Sequence, residues 1–321
     1  MRLATLRNGT PDGQLIVVSA DGDRCLPAPV SSLLAAIADW AQAEPALRAV
    51  AARLDQGEGE AFDVTSLAAP LPRTWQWLDA SAYPQHGLLM QQAFGLPPVP
   101  TDRPLMYQGM SDRFYAPFDA IPFPSEADGI DFEGEFGVIV DTVPMGTSAE
   151  DALAHIRLIV QINDWSLRTI APVEMKTGFG WVQAKPACSM APFACTPDAL
   201  GSAWRDGRID ATLTTHRGDT RFGAVPAHAD MAFGFHELIA HAARTRELVA
   251  GTVIGSGTVS SPAYAEVGAS CISERRAIDT IEAREQTPFL RFGESIAMRA
   301  SLGDGAAPFG AMENRVTQAG A

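Results

Sequence analysis

The sequence predicts an α+β protein, mainly β, in two parts: a small N-terminal unit over residues 1–72 and a large one over residues 73–321. Three observations carry that expectation. Early helical spacing is confined to two segments, 31–41 and 46–54, flanked by short apolar runs. From residue 73 onward apolar runs are mostly short and broken by glycine and proline, which reads as strands and turns. Pro70 and Pro72 bracket a stiff segment suited to a linker between the two parts. A chain of 321 residues is long enough for two domains, one of them able to bury its own core.

Taken in order, residues 2–7 and 14–19 read as strands joined through Pro11-Asp-Gly13. Gln56-Gly-Glu-Gly-Glu60 ends the second helix, and Phe62–Leu67 reads as one more strand. In the large unit, Asp131–Val140 is a clear strand. Thr147–Ile162 reads as a long helix: Ser148 and Asp151 form a capping-box variant, and Leu153, Ile156, Ile159 and Val160 share one face. Segments 208–215, 252–256, 278–282, 289–292 and 295–301 read as further strands.

Composition narrows the function. A net charge of −14 argues against a nucleic-acid partner, whose phosphates require lysine and arginine. It leaves room for a small anionic substrate, because a bound cation inverts the local field. No apolar run reaches the roughly 18 residues of a membrane span. Met1–Arg7 leads straight into Asn8-Gly9 without the apolar core of a signal peptide, so a cytoplasmic location is expected. The cysteines, Cys25, Cys188, Cys195 and Cys271, are scattered without a CxxC pair, which fits a reducing compartment. Only two lysines, Lys176 and Lys185, stand against 22 arginines. A retained lysine is therefore a candidate for a role needing a compact, tunable cation.

Several short segments carry chemistry-bearing residues. Glu133 and Glu135 flank Gly134 in the expected strand, and a spacing of two puts both carboxylates on one face. Side by side they repel unless a cation or proton sits between them; the alternative is a solvated strand face. Asp164 is a third oxygen donor, and Arg168 a carboxylate clamp or a local partner of an acid. Three carboxylates without cysteine or histidine favour Mg²⁺, Mn²⁺ or Ca²⁺ over Zn²⁺. Lys185 follows a glycine- and aromatic-rich stretch, from which it could stabilise an oxyanion. Gly255-Ser-Gly-Thr258-Val-Ser260 is a small-residue turn whose amides and hydroxyls suit a carboxylate.

In order and spacing, Tyr107-Gln-Gly109, Asp131-Phe-Glu133-Gly-Glu135, Asn163-Asp-Trp-Ser-Leu-Arg168, Lys185, Thr196–Gly201 and Gly255–Ser260 resemble the fumarylacetoacetate hydrolase family over roughly residues 75–300. The resemblance implies a mixed β-roll catalytic domain, a homodimer and one divalent cation, Mg²⁺, Mn²⁺ or Ca²⁺, held by carboxylates. Longer members carry a small N-terminal SH3-like barrel, matching residues 1–72. The same resemblance implies Asp79 as a fourth ligand beside Glu133, Glu135 and Asp164, and His86, seven residues on, as a water-activating base oriented by Glu274. It also implies catalytic roles for Lys185 and Arg168 and substrate contacts at Tyr107, Gly109, Ser189 and Thr258. The implied reaction is hydrolysis of a carbon–carbon bond in a 1,3-diketo acid such as fumarylacetoacetate or an acylpyruvate. Keto-acid decarboxylation, hydration or tautomerisation on the same site is the alternative, as is a non-catalytic ligand-binding homologue. Two departures bear on the substrate. Ala171 stands where the family pattern has a substrate-facing Gln, and Met175 where it has a Tyr.

Overall fold

The computed structural model describes residues 1–95 and 102–320. Its spine is an eleven-stranded mixed sheet. Along that sheet Arg24–Pro27, Gln14–Val18 and Arg2–Leu6 lead through Ala194–Cys195 to Ile156–Asn163, Gly134–Val140, Val253–Gly255, Trp77–Ala80 and Met106–Gly109. The N-terminal strands therefore continue the large sheet. Arg2–Leu6 pairs antiparallel with Ala194–Cys195, with Arg2 opposite Cys195 and Leu3 opposite Ala194. A second sheet holds Thr220–Pro226, Thr212–Arg217, Ser295–Ser301, Ala311–Gln318 and Ala120–Phe123.

Alternation along the strands divides the core. Ile139, Leu158, Val160 and Ile162 face a layer containing the helix Trp40–Asp55, which buries Trp40, Ala43, Leu47, Val50 and Leu54 at helical spacing. Val138, Val140 and Ile159 face the other way, into a layer shared with Leu213, Met298 and Met312 of the second sheet.

This two-sided burial corrects the helix expected over 147–162. Ser148 does accept a hydrogen bond from the Asp151 amide, but the helix it caps is only Ala149–Ala152, followed by a 3₁₀ turn, Leu153–His155. Ile156–Asn163 is a central strand, pairing with Gly134–Val140 in the register Ile162 to Glu135. A strand buried on both faces is apolar at nearly every position, so it mimics the spacing of a buried helix. The reverse error occurs at 278–282, expected as a strand but lying mostly within the helix Ile272–Ile281. Residues 289–292 make a single bridge from Leu290 to Ile130, and 62–67 forms the 3₁₀ turn Val64–Ser66. Among the described residues, no helix is long and apolar enough to cross a membrane.

Candidate metal centre and active site

Three strands of the large sheet bring the acidic residues together. Asp79 lies on Trp77–Ala80, paired parallel with Val253–Gly255, and Glu135 lies on Gly134–Val140. Asp164 follows the end of Ile156–Asn163, and its amide donates to the Glu133 carbonyl (3.0 Å). Carboxylate oxygens of Asp79, Glu135 and Asp164 all fall within 4.8 Å of one another, and all three residues are buried. Glycines make this approach possible. A Cβ on Gly255 would meet Asp79 Oδ1 at 2.3 Å, and one on Gly134 would meet Leu213 at 2.7 Å.

Glu133 sits just before the strand and differs from Glu135. Its Oε1 accepts from Ser166 Oγ and from Lys185 Nζ at 2.5 Å, and its Oε2 accepts from Thr258 Oγ1. Arg168 adds an ion pair at 3.0 Å. Burial opposes its charge, yet Arg168 and Lys185 outweigh that and hold the carboxyl below its usual range. Both oxygens of Glu135 are buried with no hydrogen-bond partner. Burial, then Asp79 and Asp164, push its carboxyl well up, and Asp79 is pushed up by burial and Asp164. An orphan carboxyl beside two others needs a proton or a cation among them, and these oxygens could hold a hard divalent cation.

Lys185 Nζ also donates to Asp164 Oδ2 (2.5 Å), which accepts from Tyr107 Oη as well (2.7 Å); Cys188 Sγ donates to Asp164 Oδ1 (3.0 Å). Burial works against the ammonium, but Asp164 and Glu133 raise its pKa regardless. Its charge is thus secure, and with two of three donors used, one remains for a substrate oxygen. Tyr107 and Trp181 meet edge to face at 4.9 Å, with Lys185 Nζ 5.4 Å from the Tyr107 ring.

The glycine-rich turn after Val253–Gly255 holds carboxylates, but they are the protein's own. The Gly257 amide donates to Asp79 Oδ1 (3.1 Å), Thr258 to Glu133 and Ser260 Oγ to Glu274 Oε1. Glu274 lies on the helix Ile272–Ile281, and its pKa is pushed up to about 7 by burial, against the Ser260 hydrogen bond. His86, in the first turn of the helix Pro84–Phe94, groups with Glu274 and Cys271, one ligand atom from each within 4.8 Å. Burial lowers His86 to about 4; Glu133 opposes this and Arg168 and Lys185 add to it. His86 Nδ1 and Glu274 Oε2 are both buried without a partner. A hydrogen bond between His86 and ionised Glu274 would make the imidazole more basic.

A cavity of about 340 Å³ opens over this floor. Asp79, His86, Tyr107, Glu133, Arg168, Lys185 and Thr258 line it; Glu135, Asp164 and Glu274 do not. Gly109 and Ser189 lie elsewhere. Gly109 packs on Trp77, where a Cβ would meet the indole at 2.2 Å, and buried Ser189 accepts from Trp165 Nε1 (2.8 Å). Arg168 is committed mainly to the protein, donating through Nε to Asp131 Oδ2 (2.7 Å).

Sequence reasoning names none of Asp131, Ser166 and Cys188 as a site residue, and takes Ser260 only as part of a carboxylate-holding turn. Asp131 also accepts from the amides of Ile272 (2.7 Å) and Ser273 (2.9 Å), so it ties Arg168 to the start of the Glu274 helix. Its spacing from Glu133 and Glu135 is a usable signal. For Cys188 there is none, since only folding brings its thiol to Asp164.

Comparison with known proteins places the chain in a family. Residues 76–317 match the family described as fumarylacetoacetate (FAA) hydrolase C-terminal, and residues 1–73 match fumarylacetoacetase N-terminal domain 2. A 2,4-didehydro-3-deoxy-L-rhamnonate hydrolase from Sphingomonas sp. (strain SKA58) is 28% identical over 107 residues, 32% of this chain and 36% of the relative's length. Among solved structures, maleylpyruvate hydrolase from Sphingobium sp. SYK-6, in complex with manganese (II) ion and pyruvate, superposes with a TM-score of 0.66 at 17% identity, covering 99% of both chains. A 5-carboxymethyl-2-hydroxymuconate delta-isomerase from Mycobacterium smegmatis superposes with a TM-score of 0.62 at 17% identity, covering both chains fully. Sequence matches spanning both parts of the chain, on a fold shared end to end with these structures, show that the chain belongs to the fumarylacetoacetate hydrolase family.

Proposed function

We propose that the chain is a divalent-metal-dependent hydrolase that cleaves a carbon–carbon bond in a 1,3-diketo acid of the acylpyruvate type. The observation that carries this reading is the buried, unpartnered carboxylate of Glu135, grouped with Asp79 and Asp164 beside a permanently charged Lys185. Asp79, Glu135 and Asp164, with Glu133 adjoining, would hold Mg²⁺ or Mn²⁺, and Ca²⁺ suits the same oxygens. Such an ion supplies electrophilic activation of the substrate's keto oxygens and charge for a departing enolate. The relative with bound manganese and pyruvate supports both the ion and the product class.

The remaining steps belong to the protein's side chains. His86, paired to ionised Glu274, takes a proton from water, and the resulting hydroxide attacks the acyl carbonyl. The free donor of Lys185 stabilises the tetrahedral oxyanion. Collapse breaks the bond between the acyl carbon and the methylene, leaving a carboxylic acid and the enolate of pyruvate, which takes up a proton. Arg168 and Thr258, both lining the cavity beside Glu133, position the keto-acid head.

A second reading, keto-acid decarboxylation or tautomerisation, is favoured by the unformed His86–Glu274 hydrogen bond, because enolate chemistry of that kind needs no activated water. The related isomerase supports it as well. A screen of acylpyruvates, fumarylacetoacetate and oxaloacetate with Mg²⁺ or Mn²⁺, following loss of enol absorbance and release of CO₂, separates the two. Turnover of oxaloacetate alone would reject the hydrolase.

A further inference from the structure

The cavity is electrostatically one-sided. Among the described residues, its only cationic lining groups are Arg168 and Lys185, and both sit at Glu133. The rest of the wall is apolar: Leu105, Met106, Ala171 and Met175, then Gly178 and Gly180, with Trp181 running back to Lys185, whose Nζ lies 6.0 Å from the indole ring. Lys176 neighbours Met175 in sequence but is exposed and does not line the cavity.

The apolar wall is also held in shape. Glu174 accepts from three successive amides, Val182 (3.1 Å), Gln183 (3.0 Å) and Ala184 (3.0 Å), closing the loop onto the residue before Lys185. Those bonds lower its pKa, so the staple is ionised at neutral pH. Trp181 Nε1 donates back to Ala171 O (3.3 Å), and the indole packs on Tyr107.

We infer that this cavity selects keto acids carrying one carboxylate and a neutral, apolar tail, and disfavours dicarboxylates, with Ala171, Met175 and Trp181 as the specificity-determining wall. The inference rests on the reading of the charged floor as the keto-acid head site. A second carboxylate against the apolar wall would lose water without gaining a cation. An alkyl or aryl tail gains burial against the same surface. The tail subsite therefore differs in character from what a diacid requires, although the floor serves either.

The test uses full-length protein loaded with Mn²⁺ and two uncleavable probes of equal length, 2-oxooctanoate and 2-oxooctanedioate, titrated calorimetrically. Wild type should bind the monoacid at least about tenfold more tightly. Met175→Arg, on an exposed side chain that tolerates charge, should narrow or reverse that ratio, and Ala171→Arg serves as a second variant should the first fail to fold. Tighter binding of the diacid by wild type overturns the inference. If Lys176→Met then abolishes that preference, Lys176 and not the apolar wall sets specificity. Because binding of uncleavable acids is read, failure of the hydrolase proposal, seen as no turnover of hexanoylpyruvate, is a separate result.

Discussion

The floor of the cavity and its loop wall treat side chains in opposite ways. On the floor, Asp79, Glu133, Asp131, Asp164 and Glu274 are each buried and each accept from a named donor, with Glu135 the exception. The loop that carries the wall turns apolar groups outward at Val173, Met175, Phe179 and Val182, Phe179 with 97% of its surface exposed. Buried charge is costly unless every lone pair is matched, so the floor admits few substitutions. An exposed loop held by one carboxylate carries no such constraint. Much of the loop can therefore change while the floor stays fixed.

The sharpest way to break that contrast is Glu135→Gln. The change should leave the melting temperature unchanged or raised, since it removes an unsatisfied buried carboxyl. Mn²⁺ binding, followed by calorimetry, and turnover should both fall to background. Retained metal affinity would show that Glu135 is merely a strained core residue.

Next in size is His86→Ala, which should lower hydrolysis by about 10²–10⁴-fold with Mn²⁺ affinity nearly intact. Any residual decarboxylation should suffer much less, and equal loss of both reactions would remove His86 as the base. The pH profile belongs to the same pair. Glu274 must be ionised to support His86, so kcat/KM should climb as pH rises through about 7, and that limb should vanish in Glu274→Gln. The stability sign is opposite. Between its ordinary value of 4.5 and about 7, folded Glu274 keeps a proton that the unfolded chain has lost. Its contribution to stability therefore falls as pH rises across that window.

Lys185→Arg tests whether any cation suffices. A guanidinium is too large for a point 2.5 Å from both Glu133 and Asp164, so a loss on the order of 10²-fold in kcat is expected with the fold retained. Near wild-type turnover would make Lys185 structural. The smallest effect should come from the wall. Glu174→Ala releases three amides at the surface and should raise KM several-fold, about 1 kcal/mol, while kcat stays within a factor of two. A matching fall in kcat would mean that the loop also positions Lys185.

The sequence by itself determined the class of protein, the family and most of the floor. Glu133, Asp164 and Lys185 stand out because charged side chains set among apolar strand residues are costly to bury without an opposite charge or an ion beside them. The first two strands follow from local periodicity, as do the helices expected over 31–41 and 46–54, which form Leu33–Ala38 and Trp40–Asp55. Residues 156–162 read as helix because a strand buried on both faces shows no alternation; the second sheet that covers it is distant in sequence. Tertiary structure alone decided that Glu133 is saturated with donors while Glu135, two residues on, has none. It also decided that Cys188 reaches Asp164, that Ser260 reaches Glu274, and that Ser189 belongs to Trp165. Each is a contact between segments whose meeting depends on how the sheets pack, and no local pattern of residue types encodes that distance.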